Sequence, residues 1–199
     1  KENGYFSSGQ EHEIYVNGKL AEKSDRNVAT VFGLEPATTY EVRIRCGADE
    51  SGTFRVATED SYVVLNVKDF GAKGDGETDD TPFIQCAINA CPRGGSVYIP
   101  AGVYKIYPLF LKSDLTLDIG KDAVLSAFTD RTRFPILPGK IECVDKEKEY
   151  LLGTWEGDPL DMFAGIITGI NVENVVITGQ GTIDGCASRD NWWDNPKVK

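Results

Sequence analysis

The stretch from Val67 to Pro100, VKDFGAKGDGETDDTPFIQCAINACPRGGSVYIP, most constrains what this chain can fold into. It leaves one strand-like segment, passes a glycine-rich turn, runs through an amphipathic helix and re-enters a strand. Gly71, Gly74 and Gly76 supply the positive-φ positions that tight turns need. Thr78 or Thr81 is the expected helix cap, and Pro82 fits the first turn, where no amide donor is required. Ile84, Ala87, Ile88 and Cys91 fall at i, i+3, i+4 and i+7, one apolar face. Pro92 stops the helix, and Gly94-Gly95 turns the chain into SVYIP. A lone helix near residues 79–91, followed only by short strands, predicts the end cap of a β-solenoid. Such a helix covers a sheet end that would otherwise be adhesive.

From Gly95 the pattern becomes short apolar strands in quick succession: VYIP, VYKIYPLFL, LTLDI, AVLSAF, GIITGI, NVVITG and GTIDG. SDLTLDIGKDAVLSAF and ENVVITGQGTIDG share one plan of strand, glycine-containing turn and strand. This is a ragged repeat of about 20 or more residues, the mark of a parallel β-helix. Between residues 127 and 161 the repeat is interrupted by a segment with prolines, mixed charges and aromatics. An insertion of this length in a solenoid forms a loop on one face. It reads either as a lid or groove wall or as a loop packed down by its own apolar residues.

Residues 1–60 follow another logic. EIYVNGKLAE reads as a hairpin on an Asn17-Gly18 turn. NVATVF reads as a further strand, Gly33-Leu34-Glu35-Pro36 as a turn, and the alternation of Tyr40, Val42 and Ile44 as a strand; TFRVATE closes the unit. Leu34, Pro36, Thr38 and Tyr40 resemble the corner of fibronectin type III-like domains. The expected organisation is a small fibronectin type III-like β-sandwich over 1–60 and the first coils of a β-helix over 61–199. SYVVLNV joins them as a strand rather than as a linker.

Formal net charge is −10. That balance argues against nucleic acid and anionic membranes as partners. It also leaves no evident basic groove for a polyanion. Cys46, Cys86, Cys91, Cys143 and Cys186 form an odd set with no paired metal-ligand spacing. Cys86 and Cys91 would point roughly 140° apart on a helix, which disfavours a disulfide. The expected reading is free thiols, a pattern that fits a reducing compartment. Neither a signal peptide nor a membrane span is visible. Secreted and bacterial cytoplasmic locations both stay open.

Three segments in order carry a family resemblance: VKDFGAKGDGETDDTPFIQCAINAC; GGSVYIPAGVYKIYPLFLKSDLTLDIGKDAVL; and NVVITGQGTIDG followed by Trp192-Trp193. Together they resemble the N-terminal part of glycoside hydrolase family 28, the polygalacturonases. A fibronectin type III-like unit before the β-helix resembles the exo-acting bacterial members. The resemblance implies a right-handed parallel β-helix that hydrolyses α-1,4 galacturonosyl bonds with inversion, without metal or other cofactor, on pectic polysaccharide or oligogalacturonide. Alternatives on the same fold are a non-catalytic carbohydrate-binding or structural module and a polysaccharide lyase.

The family's catalytic runs do not map onto this chain. It has no Asn-Thr-Asp, no His after His12 and no Arg-Ile-Lys. Its Asp79-Asp80 pair sits at the predicted helix start, where the helix dipole explains it. No catalytic, cofactor-binding or metal residue is therefore assigned, and the chain is expected to be inactive alone. Weaker candidates are Trp155, Trp192 and Trp193 for sugar stacking, and Lys105, Lys112 and Lys121 for pectic carboxylates. Packing and solvation explain the same residues more simply. Asp184, Asp190 and Asp194 raise a calcium-dependent lyase, but their spacing is not that of a calcium loop. The final coil is expected to end uncapped and to self-associate.

Overall fold

The computed structural model describes residues 7–60, 63–142 and 149–193. Contacts divide the chain into two compact units, Lys1–Ser61 and Tyr62–Lys199. No described helix is long and apolar enough to cross a membrane.

The first unit is an antiparallel sheet of β1 (Ser7–Val16), β2 (Lys19–Arg26), β3 (Thr39–Cys46), β4 (Asp49–Glu50) and β5 (Phe54–Ala57). Asn17 and Gly18 both take positive φ, 48° and 76°, the twisted hairpin turn their sequence calls for. β1 lies between β2 and β3, and β3 also carries β4 and β5. Pairings Ile44 with Ile14, Val42 with Phe54 and Tyr40 with Val56 put these side chains on one face. Of these, Ile14 is buried, while Ile44, Phe54 and Val56 stay exposed. The described residues thus supply one sheet, with its apolar face largely open. The strand expected at NVATVF does not form; residues 27–32 make no strand pairing, and Val28 is exposed. An extended run becomes a strand only when an edge accepts its amides.

The second unit is built of coils. Its first coil contains β6 (Val64–Asn66), a 3-10 turn, β7 (Asp75–Asp79) and α1 (Thr81–Ala90). The next contains β8 (Gly95–Ile99), β9 (Gly102–Ile106) and β10 (Leu109–Phe110), followed by β11 (Leu115–Ile119) and β12 (Ala123–Ala127). After the insertion come β19 (Ile167–Thr168), β20 (Val175–Gly179) and β21 (Thr182–Asp184), once β13 (Ile136–Leu137), β14 (Lys140–Glu142), β15 (Glu149–Leu151), β16 (Thr154–Trp155), β17 (Asp158–Pro159) and β18 (Met162–Phe163) have been passed. One sheet has the order β20-β11-β8-β6, another β21-β12-β9-β7, and β10 pairs with β19; all these pairings are parallel. Leu115 lies opposite Gly95, so one coil takes 20 residues at that position.

This register stacks like on like. Leu65, Val97, Leu117 and Ile177 form one interior column, and Tyr104, Leu125 and Ile183 another. Val97, Leu117, Tyr104 and Leu125 are fully buried, whereas Ile177 and Ile183 on the last described coil are 48% and 44% exposed. The columns are thus only half covered at the last described coil. At the other end α1 occupies the place in its coil that β10 takes in the next. Ile84, Ala87, Ile88 and Cys91 join the core. Gln85 Nε2 donates to the Phe110 carbonyl and its Oε1 accepts the Phe110 N–H, both at 2.8 Å. One side-chain amide thus completes the edge of β10 in the manner of a paired strand. Lys112 Nζ donates to the Asn89 carbonyl at 2.9 Å and to the Cys91 carbonyl, closing the C-terminus of α1.

The helix start departs from expectation. The N-cap is Asp80, not a threonine, and its side chain makes no cap bond. Its carboxylate instead turns back to accept the Lys73 and Gly74 amides at 2.6 and 2.9 Å, fully buried. Asp79 Oδ1 accepts the Thr81 N–H and hydroxyl, so the dipole argument holds for Asp79 rather than for the pair. Thr81 is spent on Asp79 and on the Tyr107 amide, which its Oγ1 accepts at 2.8 Å.

The insertion folds on itself as antiparallel pairs β13 with β18, β14 with β15 and β16 with β17. Glu156 and Gly157, both at positive φ, turn β16 into β17 beside Trp155, which is 69% exposed. Cys46, Cys86, Cys91 and Cys186 are free thiols; Cys143 lies outside the described residues.

On β11, Asp118 points away from the core, in a row with Asn66, Tyr98 and Thr178. Burial holds its carboxyl above the ordinary value. A raised folded-state pKa contributes stability that is fully present below the unfolded value and is lost as pH rises through the folded one. Asp118→Asn is therefore expected to raise the urea midpoint at pH 7. Its advantage over the parent chain should vanish below the ordinary carboxyl value of 3.8. Equal midpoints at pH 7 would refute this.

Candidate functional site

Two cavities of the second unit collect the side chains able to bind a ligand. The first, of about 630 Å³, lies along the exposed flank of α1 and is lined by Asp79, Thr81, Pro82, Gln85, Asn89, Tyr107, Pro108, Phe110 and Arg133. Its polar groups are mutually engaged. Arg133 donates to Asp79 Oδ2 at 3.1 Å and to Tyr107 Oη at 3.1 Å, and stands 4.1 Å over the Tyr107 ring. Asp79 is the carboxylate of this lining, and both its oxygens are occupied.

The second cavity, of about 350 Å³, lies at the outer end of β12 and β21 and is lined by Ala127, Phe134, Phe163, Ala164, Gly165, Ile166, Gly185, Ala187, Trp192 and Trp193. Its aromatic wall is built from two sources. The insertion supplies Phe134 and Phe163, and the segment after β21 supplies the tryptophans. Trp192 meets Phe134 and Phe163 edge-on, with centroids 4.9 and 5.4 Å apart. Phe134 also meets Tyr107 edge-on at 5.7 Å, and Tyr107 stacks on Phe128 at 4.6 Å. Trp192 therefore packs, while Trp193 is 61% exposed and free to present a ring face.

Cations stand beside this wall. Lys105 Nζ donates to Ser126 Oγ and to the Ala127 carbonyl, each at 3.1 Å, and lies 5.1 Å from the Phe128 centroid. Ser126 Oγ is in turn 3.2 Å from Cys186 Sγ. The strand register explains the assembly: Lys105 of β9, Ser126 of β12 and Asp184 of β21 lie in one row. The Arg131 guanidinium lies 5.9 Å from the Trp192 ring. An apolar aromatic surface with cations beside it is the chemistry that holds a sugar ring bearing an acid group.

The residues singled out from sequence scatter. Lys105 does not line this cavity but bonds the carbonyl of Ala127 at its wall, Lys112 closes α1 and Lys121 is exposed on a turn. Trp192 and Trp193 line the cavity, and Trp155 stands at the tip of the insertion. Asp184 Oδ1 accepts the Cys186 N–H at 2.8 Å, and Asp194 lies outside the described residues. Among the described residues no three His, Cys, Asp or Glu side chains gather as metal ligands. Sequence reading missed Arg131, Ser126, Phe134 and Phe163. Ser126 could have been found from its strand alternation, but the phenylalanines come from an insertion with no period.

Comparison with known proteins agrees with this architecture. Residues 64–121, from β6 past the end of β11, match the family model described as rhamnogalacturonase A/epimerase, pectate lyase-like. The chain is 31% identical over 175 residues to an exo-poly-alpha-D-galacturonosidase of Dickeya chrysanthemi, covering 79% of this chain and 26% of that protein. A stretch of 43 residues, 21% of this chain and 5% of the relative, is 63% identical to alginate lyase 7 of Azotobacter vinelandii. The solved family 28 exopolygalacturonase of Yersinia enterocolitica superposes with a TM-score of 0.62 at 26% identity, over 89% of this chain and 37% of that one. The chain thus spans about a quarter of the Dickeya protein's length. The 89% coverage exceeds the second unit, so the Yersinia match reaches into the first unit as well. The fold is the right-handed, pectin-lyase-like parallel β-helix, and over most of its length the chain is a homologue of the exopolygalacturonases of glycoside hydrolase family 28.

Proposed function

We propose that this chain contributes the capped first coils of a pectin-degrading enzyme that hydrolyses α-1,4 galacturonosyl bonds. The observation that carries the reading is the 31% identity to an exo-acting galacturonosidase over 79% of the chain. Inverting hydrolysis needs a protonated carboxyl and a carboxylate about 6.5–9.5 Å apart. The aromatic cavity is lined by no carboxylate, and the other holds Asp79 alone, already tied to Arg133 and Thr81. The 199-residue chain is accordingly expected to bind pectic fragments without cleaving them. A reducing-sugar assay on polygalacturonate checks this. Turnover that disappears in Asp79→Asn would overturn it.

The second part of the reading concerns partners. Val176, Ile177 and Ile183 are exposed on the last described coil, whose strands β20 and β21 are sheet edges. An apolar edge of this kind pairs with further strand or with another molecule. The isolated chain is expected to self-associate there. Light scattering giving a monodisperse monomer, unchanged by Ile177→Lys, would refute it.

For the first unit, the fibronectin type III-like reading is supported by a tyrosine corner. Tyr40 Oη accepts the Glu35 N–H at 2.8 Å, reaching back five residues. The open apolar face of Ile44, Phe54 and Val56 is what a second sheet would cover in a sandwich.

A further inference from the structure

The insertion is folded largely on itself. Outside the strand ladders, its described backbone bonds join Ala164 to Pro135, Leu152 and Gly153 to Gly139, and Leu160 to Gly153. Phe134 and Ala164, at its two ends, are buried, while Ile136, Leu151, Trp155, Leu160 and Met162 between them stay exposed. A segment that buries little and satisfies its own amides can move without unfolding the structure that carries it.

Arg133 fastens the first end. Asp130 Oδ1 accepts the Thr132 N–H at 3.0 Å and so sets the 3-10 turn Arg131–Arg133. From that turn Arg133 donates to Asp79 Oδ2 and to Tyr107 Oη, each at 3.1 Å, and its guanidinium lies 4.1 Å over the Tyr107 ring. Both partners are fixed in the coils. Asp79 Oδ1 is held by Thr81, and Tyr107 is buried and stacked on Phe128. Phe134 follows at once, edge-on to both Tyr107 and Trp192. The Arg133 side chain is nonetheless 56% exposed, and an exposed ion pair is weak. The fastening therefore holds the insertion without locking it.

We propose that the insertion is a strap latched on the first two coils by Arg133, and that releasing the latch opens the aromatic cavity at the outer end of β12 and β21. The cavity takes its walls from both sides of the latch. Phe134, Phe163 and Ala164 belong to the root of the strap, whereas Ala127, Gly185, Ala187 and Trp192 belong to the coils and the segment after β21. Turning the root away would part Phe134 and Phe163 from Trp192 and remove one wall. The device goes beyond the reading above, since it requires nothing of the substrate. The latch calls for arginine. A planar guanidinium can serve a carboxylate and a hydroxyl while lying on a ring, and an ammonium can meet only part of that set.

The test uses the full chain with Trp155→Phe and Trp193→Phe, which leaves Trp192 as its one tryptophan. Acrylamide quenching of Trp192 reports the opening, and hydrogen exchange at Val97 and Leu117 reports the coils. Arg133→Met is expected to raise quenching about twofold or more, because losing an exposed ion pair and a cation–π contact shifts an opening equilibrium about tenfold. Arg133→Lys should fall between the two. Asp79→Asn added to Arg133→Met should raise quenching no further, since its partner is already gone. Exchange at Val97 and Leu117 should stay unchanged throughout. Unchanged quenching in Arg133→Met overturns the proposal. Faster exchange at Val97 and Leu117 in that variant overturns it too, because Arg133 would then support the whole fold rather than latch a strap.

Discussion

Asp80→Ala is expected to be among the most damaging single substitutions in the second unit, costing about 3–5 kcal/mol. Asp80 is fully buried, and its carboxylate accepts the Lys73 and Gly74 amides at 2.6 and 2.9 Å. Alanine leaves both amides without the acceptor that the fully buried Asp80 side chain supplies, which costs more than losing an exposed bond. The damage would spread to the loop. Gly74 has φ of 61°, and a Cβ there would come within 2.8 Å of both the Tyr104 ring and Lys68 Nζ. The loop is thus seated directly on Tyr104, itself fully buried with its hydroxyl donating to the Pro100 carbonyl at 2.9 Å. Asp80→Asn keeps one acceptor oxygen and should lose roughly half as much. Urea midpoints of the three chains check the order. An Asp80→Ala midpoint equal to the parent's would show that the carboxylate does not anchor the loop.

Ile88→Ala should cost about 2–5 kcal/mol, the range for truncating a buried aliphatic side chain. Ile88 is fully buried on α1, in one cluster with Ile84, Val97, Leu117 and Leu125. The cavity cannot collapse easily, because the neighbouring coils are held by parallel ladders at fixed spacing. The informative contrast is Val103→Ala on β9. Val103 is 41% exposed, so that change should stay below about 1 kcal/mol. If the two variants unfold at the same urea concentration, α1 is not the cap of the solenoid.

Much of the solenoid was legible in the chain itself. The spacing of Ile84, Ala87, Ile88 and Cys91 defines one helical face without reference to any neighbour, and that face is the buried one. Short apolar runs with turn residues between them state the coil plan, because parallel stacking rewards identical residue classes at identical positions. The helix start was less legible. Thr78, Asp79, Asp80 and Thr81 are all competent caps by residue type. The Lys73–Gly74 amides, distant in the local helix pattern, claimed the Asp80 carboxylate, and that claim could not be read from the helix sequence. The failed strand at NVATVF has the same origin, since local propensity cannot supply a partner edge.

The candidate site was the least legible part. Trp192 and Trp193 were visible as a pair, but not Phe134 and Phe163, which meet Trp192 from an insertion with no repeat. Lys105, Lys112 and Lys121 looked equivalent in sequence. Only the stacking of β9 on β12 brings Lys105 to Ser126 and the cavity wall, while Lys112 is drawn to the end of α1. By itself the sequence determined what depends on near neighbours and on repetition: the helix face, the Asn17-Gly18 turn, the strand plan and the family resemblance. The tertiary structure decided which of several equivalent acids and lysines meet a partner, because hydrogen bonds and ion pairs act over a few ångströms between residues whose proximity is set by coil register.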